Sequence, residues 1–246
     1  MPRTTPTPPD PAPPPTRTIA LPRISVQHQL SDDNYTREIT EKTAIVLHHT
    51  VGGSAYSTFK YWQEDVPAPG AAPKRSTVAT PFIIDRDGTV FQVHDPHYWS
   101  FHLGISDLPR GQMDRRSIGI ELASEGALTK KDGKVLAFYN PNTKKGVTAR
   151  DPYYDHGVEW RGYRYFDEYE RAQIDSLVAL CEYLFLVFPT IPRRTPLNHI
   201  EFNRKHYKFN GVIGHHQVRE DKTDVHPNFP WIEFCSRLEL EQVPSP

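Results

Sequence analysis

The chain has 246 residues with a formal charge of −1, long enough for one large domain or two small ones with a proper core. A near-neutral balance excludes the basic footprint of a nucleic-acid binder. The longest apolar stretch, residues 177–188, is interrupted by Glu182 and is too short to span a membrane.

Residues 1–17, MPRTTPTPPDPAPPPTR, carry eight of the 24 prolines and few large apolar side chains. Such a segment cannot offset its ordering entropy and reads as a disordered tail or linker, leaving 18–246 as the folded domain. Prolines stand where a secretory signal has its apolar core, so synthesis in the cytoplasm without a signal peptide is expected. Cys181 and Cys235 form no paired motif and read as small buried hydrophobes rather than a disulfide.

Residues 18–42 are polar lead-in, with one short strand near Ile24–Val26. Ala44–Leu47 is an uninterrupted apolar run, the mark of a strand buried on both faces. Ser54 is placed to cap a helix through about Gln63, with Tyr56, Phe59 and Trp62 inward. Pro67–Pro73 reads as a loop. Pro81–Asp85 and Thr89–Val93 flank an Asp87-Gly88 turn and read as a β-hairpin. Trp99–Gly104 is a loop rich in aromatics, and Ser117–Leu122 a further apolar strand carrying Glu121. Residues 124–165 show no sustained period and read as a long surface excursion, the expected specificity element. Asp167 and Glu170 have capping-box spacing ahead of a helix over about 168–188, ended by Pro189 and Pro192. Residues 193–210 form a basic, aromatic loop before a short strand at Val212–Ile213. Pro230 opens a last helix through about Glu241. Strands and helices alternate without repeats, which predicts a single α/β domain.

The chemistry concentrates in Gly211–Trp231, GVIGHHQVREDKTDVHPNFPW, and in Thr43–Thr50, TAIVLHHT. His48 ends a buried strand, His215 follows a second one, and Asp224 lies nine residues further on a loop. Two imidazoles, a carboxylate and an open fourth position describe a catalytic rather than a structural zinc site. Taken alone, a His-His dipeptide is more often structural or solvated, Glu121 a strand-end ion-pair partner, and Lys222 a solvated loop charge.

Together, VLHHT, FIIDRDGTVFQV, WSFHLG, SIGIEL, IGHHQV and KTDVHPNFPW, in that order over about residues 43–235, resemble the zinc-dependent N-acetylmuramoyl-L-alanine amidases. That family includes phage amidase lysozymes and is related to the peptidoglycan recognition proteins. The resemblance implies a mixed central β-sheet flanked by helices, with a shallow zinc groove. It makes His48, His215 and Asp224 the metal ligands, Lys222 the oxyanion-stabilising lysine, Glu121 the catalytic carboxylate and His102 a groove histidine contacting substrate. Where the family commonly has proline-glycine after the metal aspartate, this chain has Val225-His226, which leaves His226 as a competing ligand. Before the FIIDRDG strand a common histidine is replaced by Pro81.

The resemblance further implies a monomeric peptidoglycan or muropeptide hydrolase, working on the wall as phage lysis enzymes do or on cytoplasmic muropeptides. No nucleic-acid or membrane partner is expected. The alternatives are a non-catalytic peptidoglycan-binding module, disfavoured by the presence of Asp224 and Lys222, and a zinc amidase or peptidase for another wall-derived substrate. His49 and His216 are assigned to packing or hydrogen bonds behind the metal, and His94, His97, His156, His199 and His206 to the surface or loops. Trp99, Tyr153, Tyr154, Trp160 and Tyr163 either line the groove or pack.

Overall fold

The computed structural model describes residues 21–66, 74–75, 78–140 and 142–245. The proline-rich tail expected at 1–17 and the loop expected at Pro67–Pro73 lie outside the described residues. The first half of the chain forms β1 (Ile24–Ser25), β2 (Ala44–His49), α1 (Ala55–Gln63), β3 (Asp65–Val66), β4 (Lys74–Arg75), β5 (Phe82–Ile84), β6 (Val90–Gln92) and β7 (Ser117–Leu122). The excursion holds β8 (Ala127–Lys131), β9 (Lys134–Asn140), β10 (Lys145–Thr148), β11 (Tyr153–Trp160) and β12 (Tyr163–Asp167). Then come α2 (Arg171–Val187), β13 (Arg194–Pro196), β14 (Gly211–Gly214), α3 (His215–Val218), α4 (Trp231–Leu238) and β15 (Glu241–Val243).

The central sheet runs β1-β6-β5-β7-β2-β14. Only the β5–β6 hairpin is antiparallel; the other neighbours are parallel, so the expected mixed sheet is what forms. All six residues of both β2 and β7 are buried, which is why their sequences are apolar without alternation. Ile45, Leu47, Ile118, Ile120 and Leu122 face α2 and α4 across one core. On the opposite face, Ile83 packs with Ala55 and Trp62 of α1, and Val46 and Ile213 pack with Leu103, Met113 and Phe209. Leu177, Leu180 and Leu184 of α2 are wholly buried, each contributing roughly 2 kcal/mol by removal from water.

Four expectations need correcting. The excursion is not irregular: β10-β9-β8-β12-β11 form a second, antiparallel sheet of five strands. The α2 cap is Glu170, whose N–H donates to the Gln173 side chain at 2.9 Å; Asp167 instead ends β12 and is buried. The last helix stops at Leu238, and residues 241–243 form β15, paired in parallel with β13 inside the stretch expected to be loop. Tyr56 of α1 is exposed, the inward stripe being Ala55, Thr58 and Trp62. The Ser54 cap stands, accepting from the Ser57 N–H at 3.1 Å. Cys181 and Cys235 are both free and buried, as expected. Among the described residues no helix is long and apolar enough to cross a membrane.

Candidate metal centre

Parallel pairing brings the C-terminal ends of β2, β7 and β14 to one edge of the central sheet. His48 pairs in register with Glu121 and Leu47 with Gly214, so His215, the first residue of α3, stands level with His48. The loop after α3 returns Asp224 to the same point. Its Oδ2 lies 3.0 Å from His48 Nδ1 and 2.9 Å from His215 Nδ1. One ligand atom from each residue falls within 4.8 Å of the others, and all three side chains are buried.

The far side of each imidazole is engaged as well. His215 Nε2 donates to the Leu103 carbonyl at 2.9 Å, which turns its Nδ1 toward Asp224. His48 Nε2 lies 2.9 Å from Nδ1 of His102, whose Nε2 lies 3.0 Å from the Ser117 hydroxyl; that hydroxyl donates to the Met113 carbonyl. Burial, with His215 beside it, pushes His48 down to about 4 against the pull of Asp224, so its ring is neutral near pH 7. Burial alone would raise the Asp224 carboxyl, but the two histidines hold it well below the usual carboxylate range. Two imidazole nitrogens and a carboxylate oxygen converging on one point is a donor set that a small dication satisfies.

His102 is therefore not where the groove reading puts it. It is 7 % exposed, and both ring nitrogens are taken by His48 and Ser117. Gly119 makes the room: a Cβ there would stand 3.1 Å from His102 Nδ1 and 2.4 Å from Thr80 Cγ2. Asp114, which sequence reasoning missed, is buried and accepts from the His102 and Leu103 N–H groups at 2.7 and 2.9 Å on a single oxygen. Nothing in the polar run MDRR distinguishes it from a solvated acid.

Glu121 is buried beside the cluster, and its Oε2 has no hydrogen-bond partner among the described residues. Burial raises its carboxyl well above the usual range, Asp224 adds to this, and Lys222 opposes it. Lys222 is partly exposed, and its ammonium enters no ion pair among the described residues. A cleft of about 500 Å³ opens next to Glu121, lined by Thr50, Gly52, Thr58, Tyr61 and Trp62. A larger cavity, about 680 Å³, lies by Met113, Arg116 and Tyr207, at the opposite end of β7 and away from these groups.

The remaining histidines sort by depth. His226, the competing ligand, stays outside the convergent group: its ring is buried, stacked on Tyr169 at 4.4 Å and 13° and on Phe166 at 5.2 Å and 25°. His216 is bonded to the carbonyls of Asp224 and His199, and His49 reaches the Tyr169 hydroxyl at 3.3 Å, both in the supporting roles expected. His94 and His206 are buried rather than superficial. They are held by Ser100 and by the Gln217 carbonyl, respectively. Trp99 is buried, and Tyr153, Tyr154, Trp160 and Tyr163 belong to the second sheet.

Fold and site together define a mixed α/β protein with a candidate metal centre of the His-His-Asp kind at its strand ends. The family model of the N-acetylmuramoyl-L-alanine amidases (Amidase_2) matches residues 38–227, and the chain belongs to that family. The family expected from the six motifs is thereby borne out. Among solved structures the chain is similar to the amidase AmiD from E. coli in complex with anhydro-N-acetylmuramic acid-L-Ala-D-γ-Glu-L-Lys. The identity is 18%, the TM-score 0.48, and the match covers 82% of this chain and 59% of AmiD. It is similar to a selenomethionine derivative of AmpD at 19% identity and TM-score 0.46, covering 89% of this chain and 96% of that one. A mutant endolysin from Bacillus subtilis matches at 16% identity and TM-score 0.47, covering 89% and 99%. Comparison with curated proteins returns no match.

Proposed function

We propose that the chain hydrolyses the amide between the lactyl group of N-acetylmuramic acid and the L-alanine of the stem peptide, as a zinc enzyme. The convergence of His48 Nδ1, His215 Nδ1 and Asp224 Oδ2 beside a buried Glu121 oxygen with no hydrogen-bond partner among the described residues carries this reading. His48, His215 and Asp224 would hold the ion. Bound there, zinc supplies Lewis acidity, bringing the pKa of water to about 7 and polarising the scissile carbonyl.

The chain's own groups account for the rest. Glu121 Oε2, which has no hydrogen-bond partner among the described residues, accepts the proton of the attacking water and delivers it to the departing alanine nitrogen. The Lys222 ammonium neutralises charge growing on the carbonyl oxygen; one such donor is typically worth about 3 kcal/mol of transition-state stabilisation. The cleft beside Glu121 receives the glycan or peptide flanking the bond. The products are a free muramic carboxylate and a peptide with a free L-alanine amine.

Digestion of purified sacculi and of a soluble muropeptide, with and without a chelator, tests this. The expected result is free L-alanine amino termini by mass spectrometry, about one zinc per chain, and loss of the reaction on chelation that added zinc reverses. Wall binding without cleavage would select the binding-module reading, and cleavage of another bond would select a different amidase or peptidase.

A further inference from the structure

The second sheet reaches the metal loop through one side chain. β11 and β12 are joined by a two-residue turn, Trp160 pairing with Tyr163, and both central residues have positive φ, 53° at Arg161 and 82° at Gly162. Glycine, asparagine and aspartate adopt that conformation readily; an arginine there is strained. The guanidinium accounts for it. Arg161 Nη1 donates to the carbonyls of Arg219, at 2.8 Å, and of Lys222, and Nη2 donates to the His216 carbonyl at 2.9 Å. Its plane also lies 4.8 Å from the Trp160 ring centre, and that ring meets His216 edge-on at 5.5 Å.

All three acceptors are main-chain oxygens of the segment that joins His215 to Asp224. Residues 219–223 have no helix or strand of their own, and a lysine with four rotatable side-chain bonds is no better placed than its own Cα. We propose that Arg161 is a positioning residue: it fixes the 216–222 main chain so that the Lys222 ammonium faces the reacting carbonyl, with the second sheet as its rigid support. This rests on the role given to Lys222 above. Misplacement of a catalytic group by about 1 Å can cost on the order of 100-fold in rate, so a clamp acting through the backbone is felt in turnover.

The test compares Arg161→Ala, Arg161→Gln and Arg161→Lys with the parent, all zinc-loaded, on a soluble muropeptide. The expected result for Arg161→Ala is kcat lower by about 10- to 100-fold with KM within about threefold, at unchanged zinc content, and partial recovery in Arg161→Lys. In the Arg161→Ala/Lys222→Ala double variant the losses should not multiply, because one residue acts through the other. Unchanged kcat in Arg161→Ala, or fully multiplicative losses, overturns the proposal; if the alanine variant does not fold, Arg161→Gln against Arg161→Lys decides in the same way. Brief trypsin treatment supplies a readout independent of the reaction. Cleavage after Arg219 and Lys222 should accelerate in Arg161→Ala, and an unchanged cleavage rate overturns the clamp. A normal rate in Lys222→Ala alone would instead remove the role given to Lys222 while leaving the clamp decided by proteolysis.

Discussion

Nδ1 of His102 sits 2.9 Å from Nε2 of His48, and the next residue, Leu103, accepts from the corresponding nitrogen of His215 with its carbonyl. Two consecutive residues of one loop thus set the tautomer of both histidines proposed as ligands, and Asp114 pins the loop by both of its N–H groups. Partners of this kind typically change metal affinity about 10- to 100-fold when removed. His102→Ala and Asp114→Ala should each weaken zinc binding by that order in competition with a chromophoric chelator, activity returning at excess zinc. His102→Ala with parental zinc affinity would count against the loop as the support of the ligands.

Glu121 combines a place beside the candidate metal centre with an unfavourable environment. Its carboxyl is raised well above the unfolded value, mainly by burial. The folded state therefore holds the proton more tightly than the unfolded chain. The stability this contributes is complete below the unfolded pKa and is lost as pH rises through the folded one. Glu121→Gln, which keeps the shape and removes the charge, should abolish hydrolysis. Denaturant melts of the metal-free protein should show the variant gaining on the parent as pH rises. Retained hydrolysis in this variant would transfer the proton work to another group.

His94 provides a pH response outside the candidate metal centre. Burial pushes it down to about 4, its hydrogen bond to the Asp95 carbonyl opposing the shift. With the folded pKa below the unfolded value near 6.5, its contribution is present above pH 6.5 and is lost as pH falls toward 4. Linkage bounds this loss at about 3 kcal/mol. His94→Gln, which cannot take up the proton, should lose less stability than the parent between pH 7 and 4.5. Parallel urea midpoints for the two proteins over that interval would show that His94 is not the titrating group.

Legibility in the sequence followed burial. β2 and β7 could be read because residues 44–47 and 117–120 are buried on both faces, leaving apolar runs with clear ends. The positions of His48, His215 and Asp224 were legible through motif order, since adjacent parallel strands deliver their ends to one edge. The second sheet was not legible because it lacks one buried face: every residue of β10 is exposed and most of β11 is exposed or only partly covered. No period of two survives there, and only Asp132-Gly133 and Arg161-Gly162 marked its turns. The depth of His94, His102 and His206 was hidden for another reason. An imidazole is tolerated inside wherever a partner waits, and Ser100, Ser117 and the Gln217 carbonyl are supplied by distant or unremarkable stretches.

Asp167 separates the capping reading from the observed contact by magnitude. A capping aspartate replaced by alanine costs about 1 kcal/mol. In the structure its carboxylate is wholly buried, accepts from Arg86 Nη2 at 2.6 Å and from the Glu125 N–H at 2.6 Å, and ties the second sheet to the β5–β6 hairpin. Removing one member of a buried ion pair leaves the other charge uncompensated, at about 3–5 kcal/mol. Asp167→Ala should therefore destabilise by about 3 kcal/mol or more in urea unfolding at pH 7. Because the Arg86 side chain keeps 15% exposure, the double variant Asp167→Ala/Arg86→Met should recover part of the loss. A loss near 1 kcal/mol with no recovery would return Asp167 to the role of a cap.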